Sequence, residues 1–166
     1  DIPNLLRVFI GETSANEGIL TDEVTEIETS IDDMNPEFYS YLFNILLDEG
    51  ALDVALIPVF MKKNRPGHIL KVITPPEKSE SIISRIFIET STSGVRITRT
   101  SRRILARKIV PVETPYGAVN VKIHEMNGKV VTVSPEYEEC RIIATKNDLP
   151  LKNVYNAALK EAYKII

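Results

Sequence analysis

The sequence predicts an α+β fold, in which a ferredoxin-like β-α-β-β-α-β lobe precedes a smaller β-hairpin lobe closed by two helices. Three observations support this prediction. Apolar residues alternate with polar ones in several short runs, as they do in half-buried strands. Two segments between these runs repeat their apolar residues every three or four positions, as amphipathic helices do. The pair Asn127-Gly128 marks a hairpin turn in the last third of the chain.

The first strand and helix are predicted within residues 23–50. The run EVTEIETSI, at 23–31, alternates loosely as a strand. Asn35 can cap the helix that follows, Pro36 suits its first position, and Gly50 ends it. The predicted apolar stripe of this helix consists of Phe38, Leu42, Ile45 and Leu46.

A hairpin, a helix and a strand complete the first lobe. Strand-like runs at 53–61 and 68–74 are joined by KKNRPG, whose proline and glycine can turn the chain. A helix is predicted over residues 77–89, and a strand follows from Gly94. This order of elements is the ferredoxin-like order, in which two split βαβ units share an antiparallel sheet. The residues expected to be buried by the second helix and the last strand are Ile82, Ile83, Ile86, Phe87, Val95 and Ile97.

The last third of the chain contains strand patterns near 108–113, 118–125 and 129–133. Helical signals return after Pro135 and again after Pro150. We therefore expect a β-hairpin lobe that two helices close. The final helix is expected to bury one face, made of Val154, Ala157, Ala158, Ala162 and Ile165.

The predicted domain organisation has three parts. Residues 1–22 are expected to be a strand (5–10) and a linker from an N-terminal part that is missing, because the chain opens on aspartate rather than methionine. The ferredoxin-like lobe is expected over 23–107 and the hairpin lobe over 108–166. The total of 166 residues is long enough to bury a core without disulfides.

Composition limits the classes of function. Twenty basic and 23 acidic residues give a net charge of −3, which disfavours non-specific nucleic-acid binding. The single Cys140 excludes an internal disulfide and agrees with a reducing compartment. There is neither an apolar run near 20 residues nor a signal-peptide pattern. We therefore expect a soluble, cytoplasmic protein that binds no nucleic acid and no membrane.

Two polar clusters are complementary in charge. Asp32 and Asp33 lie where the first strand gives way to a helix, and two adjacent carboxylates repel each other unless water or a cation screens them. Lys62, Lys63 and Arg65 lie on the turn of the predicted hairpin. Carboxylates that bind a divalent ion and cations that bind phosphate form the two halves of a metal-triphosphate site. The same residues can be explained without a ligand. The aspartates can belong to a solvated strand end that caps the helix, and the cations can serve only to keep an exposed hairpin soluble.

Two further clusters are weaker signals. The turn ETSTSGVR, at 89–96, is rich in hydroxyls and can either cradle an anion or simply connect a helix to a strand. The segment PEYEEC, at 135–140, places carboxylates and the only thiol at a helix start. Acidic residues are common in the first turn of a helix, where they interact favourably with the helix dipole. A lone cysteine is commonly buried in the core without a chemical role. His68 and His124 lie in strand patterns without ligand spacing.

Five segments carry a resemblance to a known family. They are ETSIDDMNPE, DVALIPVFMKKNRPG, ETSTSGVR, PYGAVNVK and SPEYEEC, in this order. In order and separation they closely resemble the C-terminal region of the LarC family, over about residues 5–166. That family inserts nickel into the pyridinium-3,5-bisthiocarboxylate mononucleotide, the pincer cofactor of lactate racemase, in a CTP-dependent reaction. The N-terminal half of the family, with its histidine-rich region associated with nickel, is absent from this sequence.

The resemblance implies roles for individual residues. It makes this chain the CTP- and divalent-metal-binding C-terminal domain of a cyclometallase (a lyase) that acts on Ni²⁺, with Mn²⁺ or Mg²⁺ at Asp32 and Asp33. Glu136 and Cys140 become catalytic candidates near nickel or the substrate, and a homo-oligomer is expected. The implied nucleotide contacts are Lys62, Lys63, Arg65, Thr90, Thr92, Arg96 and Lys122.

Two other classes of function remain open at this point. A ferredoxin-like sheet can be a non-catalytic regulatory module that binds a small ligand or a nucleotide without turnover. The same topology builds RNA-binding domains, but those carry aromatic residues on their central strands. The strands of this sequence carry mostly valine, isoleucine and threonine, which disfavours RNA binding.

Overall fold

The computed structural model of this chain describes residues 18–166. The strand predicted over 5–10 and the first part of the predicted linker lie outside the described residues. The described strands and helices confirm the α+β class. They are β1 (Ile19–Ile31), α1 (Phe38–Asp48), β2 (Asp53–Phe60), β3 (Pro66–Thr74), α2 (Ser79–Glu89), β4 (Arg96–Thr114), β5 (Gly117–Met126), β6 (Lys129–Pro135), α3 (Tyr137–Lys146) and α4 (Leu151–Ala162).

The strands form an antiparallel sheet that is hydrogen-bonded in the order β2-β3-β1-β4-β5-β6. The chain divides into two compact units. The N-terminal unit is residues 21–103, and the described part of the C-terminal unit is residues 18–20 and 104–166. Strand β4 contributes residues to both units. None of the described helices has the length and apolarity that crossing a membrane requires.

In the N-terminal unit, both helices pack their apolar stripes on one face of the sheet. Burial of Leu42 and Leu46 on α1 confirms the predicted stripe at these positions. The prediction is wrong for Phe38 and Phe87, whose side chains are exposed, because each lies at the edge of its helical stripe. On α1 the neighbouring Tyr39 is buried instead. The core residues of this unit are Ile27, Ile31, Tyr39, Leu42, Leu46, Ala51, Val54, Leu70, Val72, Ile82, Ile83 and Ile86.

Helix α1 begins later than predicted and ends where predicted. Asn35 accepts hydrogen bonds at 3.1 Å from the Glu37 amide, through its side chain, and from the Phe38 amide, through its carbonyl. These bonds close a turn before the helix. At the other end, Gly50 has φ +105° and donates its amide to Leu47 at 3.0 Å. The next amide, of Ala51, bonds the carbonyl of Leu46, which is the Schellman pattern of a helix end.

Strand β4 corrects the predicted strand pattern. The sequence suggests separate strands from Gly94 to about residue 100 and near 108–113, whereas the structure has one strand of 19 residues. The intervening residues contain neither glycine nor proline, so nothing interrupts the extended backbone. Strand β1 likewise begins at Ile19, four residues before the predicted start at residue 23. Ile97 is exposed on β4 rather than buried.

In the C-terminal unit, α3 and α4 cover one face of β5 and β6. The predicted alternation of β5 is confirmed, since Val119, Val121 and Ile123 are buried. The prediction is wrong for Ile165, which lies beyond the end of α4 and is exposed. The core residues of this unit are Val112, Val119, Val121, Ile123, Cys140, Ala144, Val154, Ala158 and Ala162.

Replacing Gly50 by alanine should lower the free energy of unfolding by about 1 kcal/mol, because an L-residue is strained at this positive φ. A Cβ atom added at Gly50 would meet only side-chain atoms of Lys78, at 3.7 Å or beyond. The loss of stability therefore comes from the strained backbone conformation and not from a steric clash. The matched control is Gly94→Ala, since no heavy atom lies within 4 Å of its added Cβ. Urea denaturation of both variants measures the difference; equal stabilities would contradict the assignment.

Candidate functional site

Asp32 and Asp33 directly follow β1, and each contacts a different neighbouring segment. Arg65 Nη1 donates to Asp32 Oδ2 at 3.3 Å, from the hairpin turn. The hydroxyl of Ser91 donates to Asp33 Oδ1, from the segment after α2. The structure therefore brings together three of the four clusters that the sequence singles out. Ser91 was not among the predicted contacts, which in its segment were Thr90, Thr92 and Arg96.

The hairpin turn holds its cations in a constrained backbone. Lys63 and Asn64 have φ values of +63° and +55°, and the amide of Met61 bonds the carbonyl of Arg65 at 2.8 Å. Lys62 and Lys63 are exposed, and no carboxylate among the described residues lies within 4.0 Å of either ammonium group. Within the described residues, both ammonium groups are therefore free to pair with an anion.

Gly67 permits a close approach between β3 and the end of β1. An added Cβ atom at Gly67 would lie 2.7 Å from the carbonyl oxygen of Ile31 and 3.2 Å from the Cβ atom of Asp32. It would also lie 2.6 Å from the sulfur of Met61. Any side chain at this position would displace the backbone that carries Asp32. The sequence suggested only a turn role for this glycine.

The segment from Thr90 to Gly94 is held by its own hydroxyl groups. Thr90 Oγ1 donates to the carbonyl of Ile86 at 2.7 Å. Thr92 Oγ1 lies 2.5 Å from the hydroxyl of the buried Thr29 and 3.0 Å from the carbonyl of Gly94. These bonds occupy both threonine hydroxyls, so they shape the segment and do not support the predicted phosphate contacts through Thr90 and Thr92.

Arg96, the last nucleotide candidate in this unit, is paired within the sheet. Its Nη2 atom donates to Glu28 at 2.7 Å and to the hydroxyl of Ser30 at 3.3 Å. The pair is largely exposed, so solvent weakens it and an anion can compete with Glu28 for the guanidinium. Arg96 therefore stays a prediction.

An open cavity of about 640 Å³ lies beside Asp32 in the N-terminal unit. This volume is within the usual range for small-molecule pockets. Tyr39 and His68 meet edge to face in its wall, with ring centroids 5.0 Å apart. Burial raises the pKa of the Tyr39 hydroxyl, and the negative charge of Asp33 raises that pKa further. The sequence marks His68 only as a strand residue without ligand spacing, and it gives no sign of a role for Tyr39. The other lining residues include Met34, Pro36, Pro58, Val59, Phe60 and Pro66.

The carboxylate pair fits a metal ion that a ligand shares. Within residues 18–166, no group of three or more His, Cys, Asp and Glu side chains could hold a metal ion. Asp32 and Asp33 offer hard oxygen ligands of the kind that Mg²⁺ and Mn²⁺ prefer. The remaining coordination positions would have to come from water or from ligand oxygens, as in metal-nucleotide sites.

Lys122 and Glu136 lie in the C-terminal unit and are paired. The Lys122 ammonium lies 2.7 Å from a carboxylate oxygen of Glu136. The neighbouring Glu139 accepts hydrogen bonds from both the amide and the side chain of Asn120, at 2.6 and 2.8 Å. The start of α3 is therefore clamped to β5. The sequence places Glu139 in the acidic segment 135–140, but it does not indicate the bonds to Asn120.

Cys140 is fully buried in the core of the C-terminal unit. Burial raises the pKa of its thiol, and the charge of Glu139 raises that pKa further. Metals and electrophiles react with the thiolate, which this environment disfavours. The geometry gives no support to a catalytic or nickel-binding role for Cys140.

Comparison with known proteins gives consistent matches along nearly the whole chain. The sequence model of a family described as "Nickel insertion protein" matches residues 1–155. A pyridinium-3,5-bisthiocarboxylic acid mononucleotide nickel insertion protein from Desulfitobacterium hafniense is 44% identical over 99% of this chain and 42% of its own length. The protein of the same name from Thermotoga petrophila is 39% identical over 99% of this chain and 41% of its own length. The chain thus spans about two fifths of these relatives.

A solved structure also matches. It is described as LarC2, the C-terminal domain of a cyclometallase involved in the synthesis of the NPN cofactor of lactate racemase, in the apo form. Its TM-score is 0.80 at 36% sequence identity, over 86% of this chain and 99% of that one.

Gly67→Ala should lower the free energy of unfolding by about 1–3 kcal/mol, since the added methyl group overlaps the backbone of Ile31. The added methyl group also meets the sulfur of Met61, and Met61→Ala removes that contact. The double variant Gly67→Ala/Met61→Ala therefore distinguishes a clash with the Met61 side chain from a clash with the Ile31 carbonyl. We expect no recovery in the double variant, because the carbonyl contact remains. Denaturant titrations measure all three variants; a Gly67→Ala chain as stable as the parent would contradict the close approach.

The Cys140 thiol of the folded chain should react with a disulfide reagent at least about tenfold more slowly than that of the urea-unfolded chain, because it is buried and protonated. The reaction is followed by absorbance. The matched control is Lys129→Cys in a Cys140→Ala background, which places the thiol at the exposed start of β6 and should react quickly when folded. A fast reaction of Cys140 in the folded parent would restore it as a metal-site candidate.

Proposed function

Because the chain belongs to the nickel insertion protein family, we propose that it is the CTP- and metal-binding C-terminal part of a cyclometallase. The substrates of the complete reaction are nickel and the pyridinium-3,5-bisthiocarboxylate mononucleotide that becomes the cofactor of lactate racemase. The observation that carries the proposal is the convergence of Asp32, Asp33, Arg65 and Ser91 at the end of β1. The hairpin turn that carries Arg65 also carries two exposed lysines, which pair with no carboxylate in residues 18–166.

The metal-triphosphate part of the proposal assigns a task to each side chain. Asp32 and Asp33 would hold one Mn²⁺ or Mg²⁺, and the ion would offset the negative charge of the carboxylates and of the triphosphate. Lys62 and Lys63 bind phosphate oxygens from the hairpin turn, where their backbone is constrained. Arg65 neutralises Asp32 in the structure and can turn to the phosphates when an ion takes over that task.

The cavity beside Asp32 receives the remainder of the nucleotide in this proposal. Its wall is mostly apolar and carries the Tyr39 and His68 rings, which suits a planar base better than a second charged group. The hydrogen bond from Ser91 holds Asp33 in place at the opening of the segment after α2.

Nickel insertion itself demands loss of water from the ion, a carbon–metal bond and loss of a ring proton. A base must take that proton. Glu136 is the carboxylate we keep for this task, and its Lys122 partner can bind the substrate or the nucleotide. The nickel-carrying groups are assigned to the part of the relatives' length that this chain does not match.

We also infer a ferredoxin-like arrangement for the N-terminal unit. The strand order β2-β3-β1-β4, with α1 and α2 in the two crossovers, supports it. A cytoplasmic location and a homo-oligomer remain predictions within this proposal.

A regulatory module that binds nucleotide without turnover is the alternative. One observation favours it: both predicted catalytic side chains are occupied, Cys140 by burial and Glu136 by its pairing with Lys122. Nucleotide binding with no cleavage in the complete protein would support this alternative and overturn the enzymatic assignment.

Calorimetric titration with CTP, ATP and UTP, each with and without Mn²⁺, tests the proposal directly. We expect CTP to bind best and only with the metal. The double variant Asp32→Asn/Asp33→Asn should fold but bind CTP at least about tenfold more weakly, since it keeps the size of the pair and removes the charge. Lys62→Ala/Lys63→Ala should weaken CTP binding by about tenfold while leaving the weak affinity for free Mn²⁺ unchanged.

The control for lost negative charge is Asp48→Asn/Glu80→Gln, two exposed carboxylates away from the end of β1. This control should bind CTP as the parent does. If the double asparagine variant binds Mn²⁺ and CTP as the parent does, the aspartate pair is not a metal site and is only a solvated segment before the helix.

A further inference from the structure

The C-terminal unit has a polar row on the sheet face opposite its helices. Arg107 on β4 lies directly across from His124 on β5, which lies directly across from Thr132 on β6. Cross-strand partners point to the same face, with Cβ atoms about 5 Å apart. The buried residues Val121 and Ile123 point to the other face, toward α3 and α4. Three adjacent strands thus present one arginine, one imidazole and one hydroxyl side by side.

The middle of this row is ordered by hydrogen bonding. The Thr132 hydroxyl lies 2.9 Å from Nδ1 of His124, which orients the ring and leaves Nε2 for another partner. The next row along β5 carries Lys122, which is paired with Glu136 at 2.7 Å. The charge of that carboxylate is already matched by the lysine.

The cations of β4 fall into two groups that alternate along the strand. Lys108 lies 2.5 Å from Glu125, and Arg102 lies 2.8 Å from Asp22. For Arg107, no carboxylate of residues 18–166 lies within 4.0 Å. Cations on one face of β4 are therefore paired with carboxylates of the fold. Arg107 shares the other face with Arg99 and Arg103, which also lack a carboxylate partner among the described residues, but only Arg107 lies directly across from His124.

We propose that the row Arg107–His124–Thr132 binds a phosphate monoester group. The planar guanidinium can hold two oxygens of a phosphate, the imidazole can donate to a third, and the hydroxyl holds the imidazole in position. The net charge of −3 makes a long polyanion an unsuitable occupant, whereas a small monoester needs only this local charge.

The inference rests on the proposed function, because the substrate proposed there is a mononucleotide with a single phosphate. It deepens that proposal by assigning the substrate phosphate to the C-terminal unit, away from the aspartate pair that is assigned to the triphosphate. The two sites consist of different residues and can be tested separately.

The probe is ribose 5-phosphate, with ribose as the uncharged counterpart, titrated into isotope-labelled protein and followed by NMR. We expect shifts of the His124 ring and of the β4 and β5 amides with ribose 5-phosphate only. Arg107→Gln and His124→Gln should each weaken this binding by about tenfold. The matched control is Arg99→Gln, which removes an exposed arginine of the same strand and should bind like the parent.

Three outcomes would overturn the inference: parent-like binding by Arg107→Gln, an equal loss in Arg99→Gln, or the same shifts with sulfate at matched ionic strength. The last two would mean general attraction of anions. The variant Asp32→Asn/Asp33→Asn separates the two proposals, since it should lose CTP binding and keep ribose 5-phosphate binding. Failure of the CTP titration with retained ribose 5-phosphate binding would overturn the proposed function alone.

Discussion

The end of β1 lies against the start of β3 with only the hydrogen atoms of Gly67 between them. Because of this contact, β1 remains paired with β3 up to Ile31, opposite His68. The chain must then leave the sheet at Asp32, within reach of Arg65 on the hairpin turn. The position of the carboxylate pair therefore depends on a backbone contact that tolerates no side chain.

Two adjacent carboxylates at that point need compensation for their mutual repulsion. The structure supplies it from two directions, by a guanidinium for Asp32 and a hydroxyl for Asp33. Both partners are exposed and exchangeable with solvent, so each interaction is weak. The pair is thus positioned without being neutralised permanently.

The C-terminal unit illustrates how packing decides the role of a reactive group. Glu139 clamps the first turn of α3 to Asn120 on β5, and this orientation turns Cys140 into the core beneath. Lys122 and Glu136 remain at the surface, on the side that solvent reaches, as an ion pair. A thiol and a carboxylate only four residues apart therefore have opposite accessibility.

The sequence alone determined the class of fold, the order of the elements except for the division of β4 into two strands, and most of the buried positions, because apolar periodicity and turn residues act locally. Leu42, Ile83 and Val121 are buried as their spacing predicts. It also drew attention to Asp32, Asp33 and Arg65, because clusters of charged residues can be read directly from a sequence. Tertiary structure decided which groups meet: the bond from Ser91 to Asp33, the Tyr39–His68 contact and the row from Arg107 to Thr132 join residues far apart in the chain. It also buried Cys140 and bonded the hydroxyls of Thr90 and Thr92 within the fold, because burial and hydrogen-bond partners depend on neighbours that local patterns do not specify.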